Sequence, residues 1–169
     1  MKLHIGGEAQ KDGWKILNIQ PKEGVDYIGS ITDLSQFENE SVDEVYASHV
    51  FEHVLQKDAL DTLKGIQRIL KPQGKLYISV PDLDTLCQIF IDPKAPKEVK
   101  FHAMRMMFGG QIDDFDIHYM GWNQEFLFEH LQIAGFSQGT RVESFGLFSD
   151  TSDFKPYGLL ISLNVIAIK

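Results

Sequence analysis

A stripe of apolar residues at helical spacing, Leu60, Leu63, Ile66 and Leu70, lies between two strand-like runs, Val42 to Ser48 and Lys75 to Val80. One helix joining two strands in so short a stretch is a βαβ unit. Such units pair their strands in parallel and cross over in the right-handed sense. This single unit commits the chain to a layered α/β fold with a buried sheet.

The rest of the chain continues the alternation. Leu3 to Ile5, Lys15 to Ile19 and Val25 to Ile28 read as three earlier strands, each closed by Gly or Pro within two residues. Pro72 is the expected helix stop and Gly74 the turn into the fifth strand. Asp82 suits the N-cap of a helix carrying Leu83, Leu86 and Phe90. Glu98 to Phe108 reads as a second helix, and Asn123 as the cap of a third carrying Phe126, Leu127 and Leu131. Gly139 to Phe148 and Gly158 to Ile168 read as a closing antiparallel pair. One domain spanning residues 1–169 is expected. Residues 93–122, rich in aromatics and methionine, form either an insertion or lid over the site, or extra core.

Charge narrows the partners. Lys and Arg number 16 against 24 Asp and Glu, for a net charge of −8, and no basic patch is present. A phosphate backbone or an anionic membrane requires the opposite balance, so neither nucleic acid nor membrane is expected as a partner. A small-molecule or protein substrate fits better. The lone Cys87 excludes an internal disulfide and suits a reducing compartment, hence a cytoplasmic location. Its place beside Leu86 and Ile89 suggests a small buried hydrophobe. The first residues read as a strand and not as a signal peptide.

Ligands of open α/β sheets bind outside the carboxyl ends of the strands, where strand order switches. Gly6-Gly7, Gln20-Pro21, Asp33-Leu34 and Ser48-His49 stand at such ends. Gly6-Gly7 is not a dinucleotide fingerprint, because Glu8 stands where a third glycine would help. A dinucleotide oxidoreductase is therefore disfavoured.

Three segments are more specific in combination. They are Leu3-His4-Ile5-Gly6-Gly7, Ala47-Ser48-His49-Val50-Phe51-Glu52-His53, and Arg68 through Pro72-Gln73-Gly74 to Leu83. Together with Gly13 to Ile19 and Asp33-Leu34, they resemble the methyltransferase-11-like group of class I S-adenosylmethionine-dependent methyltransferases. The resemblance runs from about Lys2 to Leu86. It implies a Rossmann-like three-layer sandwich with a mostly parallel seven-stranded sheet and an antiparallel last strand. It also implies S-adenosylmethionine as cofactor. Gly6 and Gly7 would line its methionine and ribose, Gln20 would meet the ribose hydroxyls, and Asp33 and Leu34 would meet adenine. Ser48 and His49 would lie beside the transferred methyl.

The sequence departs from the group in three ways. Glu8 replaces the last glycine of the first motif, and Gln20 replaces the usual acid. Losing that charged acceptor weakens binding by about 1–2 kcal/mol. The second strand starts at Lys15, nine positions after Gly6, too few for a helical crossover. The first crossover helix is thus expected to be reduced, with part of the cofactor wall missing or supplied by a second copy. A homodimer and a non-catalytic, methyltransferase-fold binding or regulatory protein both stay open on that ground.

Methyl transfer needs mainly positioning, and a base only where the acceptor loses a proton. His49 and His118 are the candidate catalytic residues. Glu52-His53 reads as a structural pair at a helix start. The nearest acidic cluster, Asp113, Asp114 and Asp116, reads as a solvated loop, and no metal site is expected.

Overall fold

The computed structural model describes residues 1–169. Seven strands form one sheet: β1 (Lys2–Ile5), β2 (Trp14–Asn18), β3 (Tyr27–Ile28), β4 (Val42–Ser48), β5 (Leu70–Pro81), β6 (Gln138–Val142) and β7 (Ser162–Ile168). Their order is β3-β2-β1-β4-β5-β7-β6. The first five pair in parallel, while β7 runs antiparallel to both β5 and β6. The fold class matches the expectation. Chain progression reverses between β1 and β4, and that switch point sets where a ligand is to be sought.

Four helices accompany the sheet: α1 (Ala59–Ile69), α2 (Leu83–Ile91), α3 (Lys97–Phe108) and α4 (Gln124–Ile133). In α1, Ala59, Leu63, Ile66 and Ile69 recur on one face and are buried. The Asp82 side chain accepts from the Asp84 amide and caps α2, and Asn123 caps α4 through Phe126. None of these helices is long and apolar enough to cross a membrane.

Several boundaries differ from the reading of the sequence. The fifth strand begins at Leu70, directly after α1, so Pro72 lies in its exposed first half and does not terminate the helix. There β5 departs from regular register between Val42 and Glu44 of β4, and Gln73 adopts φ of 64°. The strand expected at Gly139 to Phe148 ends at Val142. Cys87 is exposed: Leu86 and Ile89 hold the buried face of α2, and the next position turns about 100° towards solvent. No helix spans residues 6–13 between β1 and β2, as the short crossover requires.

The two faces of the sheet are covered differently. Leu3, Ile5, Val45, Ala47, Leu76, Ile78, Leu163 and Val165 project to one side and form the main core with α1 and α4. On the other side Trp14, Tyr46 and Tyr77 are covered by Phe145, Leu147 and Phe148. These belong to a strap between β6 and β7 that takes the place of a helical layer. Asp150 ties the strap down by accepting from the Tyr46 hydroxyl at 2.8 Å and the Ser48 hydroxyl at 3.3 Å. Asn164 donates to the carbonyls of Glu143 and Ser152. Burial pushes the Asp150 carboxyl up, but the hydrogen bonds from Ser152, Tyr46 and Ser48 outweigh it and hold it below the ordinary range.

His4 lies under this strap, with its ring 4.3 Å from that of Phe148 and edge-on to Tyr46. Burial lowers its pKa from 6.5 to about 4, partly offset by Asp150. The folded chain therefore holds His4 neutral where the unfolded chain protonates it. Stability is complete above pH 6.5 and is lost as pH falls towards 4, by about 3 kcal/mol from this residue. Denaturant unfolding at pH 7 and pH 4.5 checks this. His4→Leu is expected to remove most of the difference, and an unchanged difference would refute the assignment.

Candidate functional site

The carboxyl ends of β1, β2 and β4 meet at a cleft of about 410 Å³. Gly6, Asn18, Gln20, Ser30, Thr32 and His49 line it. Gly6 turns the chain out of β1 with φ of 74°, and its amide donates to Leu17 at 2.8 Å. A β-carbon there would lie 2.4 Å from Cγ2 of Val50. The buried side chain of Asn18 braces both loops: Nδ2 donates to the Gly7 carbonyl, and Oδ1 accepts from the Gln20 amide. Glu8 and Lys22 form an ion pair within the same lining.

Of the eight residues singled out from sequence, Gly6, Gln20 and His49 line this cleft. Gly7 instead packs against His4, where a β-carbon would meet the ring at 2.4 Å. Asp33 points to solvent and accepts from Ser35, whose hydrogen bonds lower its pKa. Its neighbour Thr32 occupies the lining. Leu34 is buried in the main core, and Arg68 donates to its carbonyl. Ser48 falls on the Tyr46 side of β4 and reaches Asp150 under the strap. His118 lines a neighbouring cleft.

That second cleft, about 470 Å³, shares His49, His53 and Asp116 with the first. Glu52, Arg105, Met106 and His118 add to its walls. Residues 109–122 reach it because they are stitched to the turn after β4. The Tyr119 amide donates to the Glu52 carbonyl at 2.9 Å, and Gln56 donates to the Tyr119 carbonyl at 3.2 Å. Trp122 is buried and stacks on Phe51 at 4.8 Å. The 93–122 segment therefore supplies core through Trp122 and lining through His118.

His49 sits at the junction of the two clefts in an unusual backbone state for a side chain, φ 53°. Its amide donates to the Ser79 carbonyl at 2.9 Å. Ser162 donates its hydroxyl proton to the Thr151 carbonyl at 3.0 Å, so its oxygen accepts from Nε2 of His49 at 2.9 Å. Nδ1 of His49 lies 3.2 Å from Oε1 of Glu52.

Glu52 was not anticipated as a site residue. Its side chain is fully buried, between His49 and His118. Burial pushes its carboxyl up, but the nearby His49, with His53 and His118, outweighs that and holds it below the usual glutamate value. His118 is lowered, chiefly by burial, with Glu52 opposing.

The backbone at Gly6 yields a direct test. Gly6→Ala is expected to cost about 1–2 kcal/mol from the left-handed backbone alone, plus the clash with Val50. Val50→Ala in the same chain should recover the clash component and not the backbone component. Denaturant midpoints of the single and double variants measure both; equal stability of Gly6→Ala and the parent would refute it.

Comparison with known proteins bears on this arrangement. A family model described as a methyltransferase domain matches residues 9–78. Three solved structures each cover 99% of this chain. One is a complex between the Trm112 methyltransferase activator and a putative methyltransferase from Haloferax volcanii, at TM-score 0.61, 16% identity and 81% of that chain. Another is a SAM-dependent methyltransferase from Archaeoglobus fulgidus, at 0.58, 17% and 85%. The third is 1,6-didemethyltoxoflavin-N1-methyltransferase from Burkholderia thailandensis, at 0.62, 15% and 70%. Its structure holds 1,6-didemethyltoxoflavin and S-adenosylhomocysteine. No curated protein matches significantly.

Proposed function

We propose that the chain is a class I S-adenosylmethionine-dependent methyltransferase that methylates a small molecule held in the second cleft; the methyltransferase-domain model over residues 9–78 and the likeness of fold to solved methyltransferases support this reading. The observation that carries this reading is the pair of contiguous clefts at the switch point, with His49 and His53 common to both. One cleft has the size and polarity for a nucleoside-sized cofactor, and the other has room for an acceptor.

The residues of the first cleft fit S-adenosylmethionine. Gly6 offers a wall without a side chain, and Gln20, Ser30 and Thr32 offer hydrogen-bonding groups. When bound, this cofactor supplies an electrophilic methyl group. Gly6 would line its methionine and ribose, and Gln20 would bond the ribose hydroxyls. Thr32, next to Asp33, would take the adenine side. Gly7, Asp33, Leu34 and Ser48 act behind this wall, through His4, Ser35, the core and Asp150 respectively.

The acceptor side is chemically distinct. Both ring nitrogens of His49 face fixed partners, Ser162 and Glu52, so His49 acts as a positioning residue at the junction. His118 donates through Nδ1 to the Met106 carbonyl, which leaves Nε2 without a proton in the neutral ring. Burial favours that neutral ring. His118 is thus an imidazole of this cleft suited to receive a proton from an acceptor hydroxyl or amine, and His53, bonded through Nδ1 to the Ile117 carbonyl, shares that tautomer.

Calorimetric titration with S-adenosylhomocysteine tests the reading. Saturable one-to-one binding is expected, with Gln20→Ala weakening it about tenfold. Absence of heat at millimolar ligand would overturn it and favour a methyltransferase fold that binds without catalysis. That second reading draws on the coil at residues 6–13, which leaves the cofactor side without its first helix.

A further inference from the structure

Glu52 carries the most deeply buried carboxyl in the lining of the two clefts. Its carboxylate is fully buried, and neither oxygen receives a well-directed hydrogen bond. Such a charge is costly unless a cation or donors satisfy it. Its nearest polar neighbours are imidazoles, with Nδ1 of His49 3.2 Å from Oε1 and Nε2 of His118 4.0 Å from it. His53 directs Nδ1 to the Ile117 carbonyl at 3.0 Å, and His118 directs Nδ1 to the Met106 carbonyl at 3.0 Å. A carbonyl only accepts, so each ring carries its proton on Nδ1 and, when neutral, a lone pair on Nε2. Two imidazole lone pairs and a buried carboxylate whose one close contact is His49 thus share one pocket wall.

We propose that Glu52, His53 and His118 bind a divalent transition-metal ion, zinc or a close neighbour, at the wall of the second cleft. One donor atom from each lies within 4.8 Å of the others, and Oε1 of Glu52 is 4.0 Å from Nε2 of His118. Ligands of a tetrahedral zinc at ~2.1 Å stand about 3.4 Å apart, so closure needs a contraction of at most about 1.4 Å. The two nitrogens and one oxygen suit zinc, iron or copper better than magnesium or calcium, which take oxygen. The carbonyl bonds on both Nδ1 atoms are the supports that metal-ligating histidines use to fix ring and tautomer. His49, 3.2 Å from Oε1, would orient the carboxylate from behind.

Three protein ligands leave at least one position open towards the cleft. With the ion bound, Nε2 of His118 is a ligand and no longer a proton acceptor. Resting on the methyl-transfer reading, the acceptor would then be an oxygen compound, a hydroxyl or phenol, that ligates the ion and is thereby made more acidic. The metal site itself does not depend on that reading.

Chelator-treated protein titrated with Zn²⁺ by calorimetry, without any cofactor, tests the site. One ion per chain is expected, with micromolar or tighter affinity. Co²⁺ is expected to give visible absorption bands of a bound ion. His118→Asn and Glu52→Gln should each weaken Zn²⁺ at least a hundredfold, while His102→Asn, also in that cleft but bonded to Tyr157, should not. Circular dichroism verifies that each variant is folded, and His118→Asn decides alone if Glu52→Gln does not fold. No binding at 100 μM Zn²⁺, or binding that survives His118→Asn, would overturn the proposal. Zn²⁺ binding by a chain that ignores S-adenosylhomocysteine would sustain the metal site while removing the methyl-transfer reading.

Discussion

A largely parallel sheet has to be covered on both faces, and this chain has helices for only one. The strap that follows β6 closes the other face, and the hydrogen bonds of Asp150 and Asn164 hold it there. Aromatic packing of Phe145 and Phe148 on Tyr46 fills the space between strap and sheet. The same strap carries Thr151, which engages Ser162, which engages His49. The cover of the sheet and the geometry of the cleft junction are therefore one continuous structure.

Within the site, local sequence supplies the ends of the strands, and a distant segment completes the chemistry. The turn after β4 delivers His49, Glu52 and His53 within five positions. His118 arrives after three intervening helices, fixed by the pairing of Tyr119 with Glu52. Glu52 is thereby enclosed by imidazoles from two parts of the chain. The first cleft belongs to β1, β2 and the coil after β3, and the second belongs largely to this composite wall.

Much of the fold was legible because its periodicities are strong. The β4 boundaries and the caps at Asp82 and Asn123 follow from patterns that tertiary packing does not override. The start of β5 is not legible because Pro72-Gln73-Gly74 looks like a break, yet the strand tolerates it in an exposed and irregular stretch. Phe145 to Phe148 look like strand in the sequence because an apolar run carries no mark of whether it pairs or caps. The place of Ser48 away from the cleft is legible in strand parity, which puts it on the side of Tyr46, opposite Ala47. The environment of Glu52 was not legible, since the residues that surround it include one 66 positions away.

The left-handed backbone at His49 has an evolutionary consequence. Glycine adopts that conformation without strain, so replacing the histidine would relax the main chain while deleting the group that bridges Ser162 and Glu52. At this position, robustness and chemistry select for different residues. A lineage that kept the scaffold but had no use for that bridge would be free to drift towards glycine there.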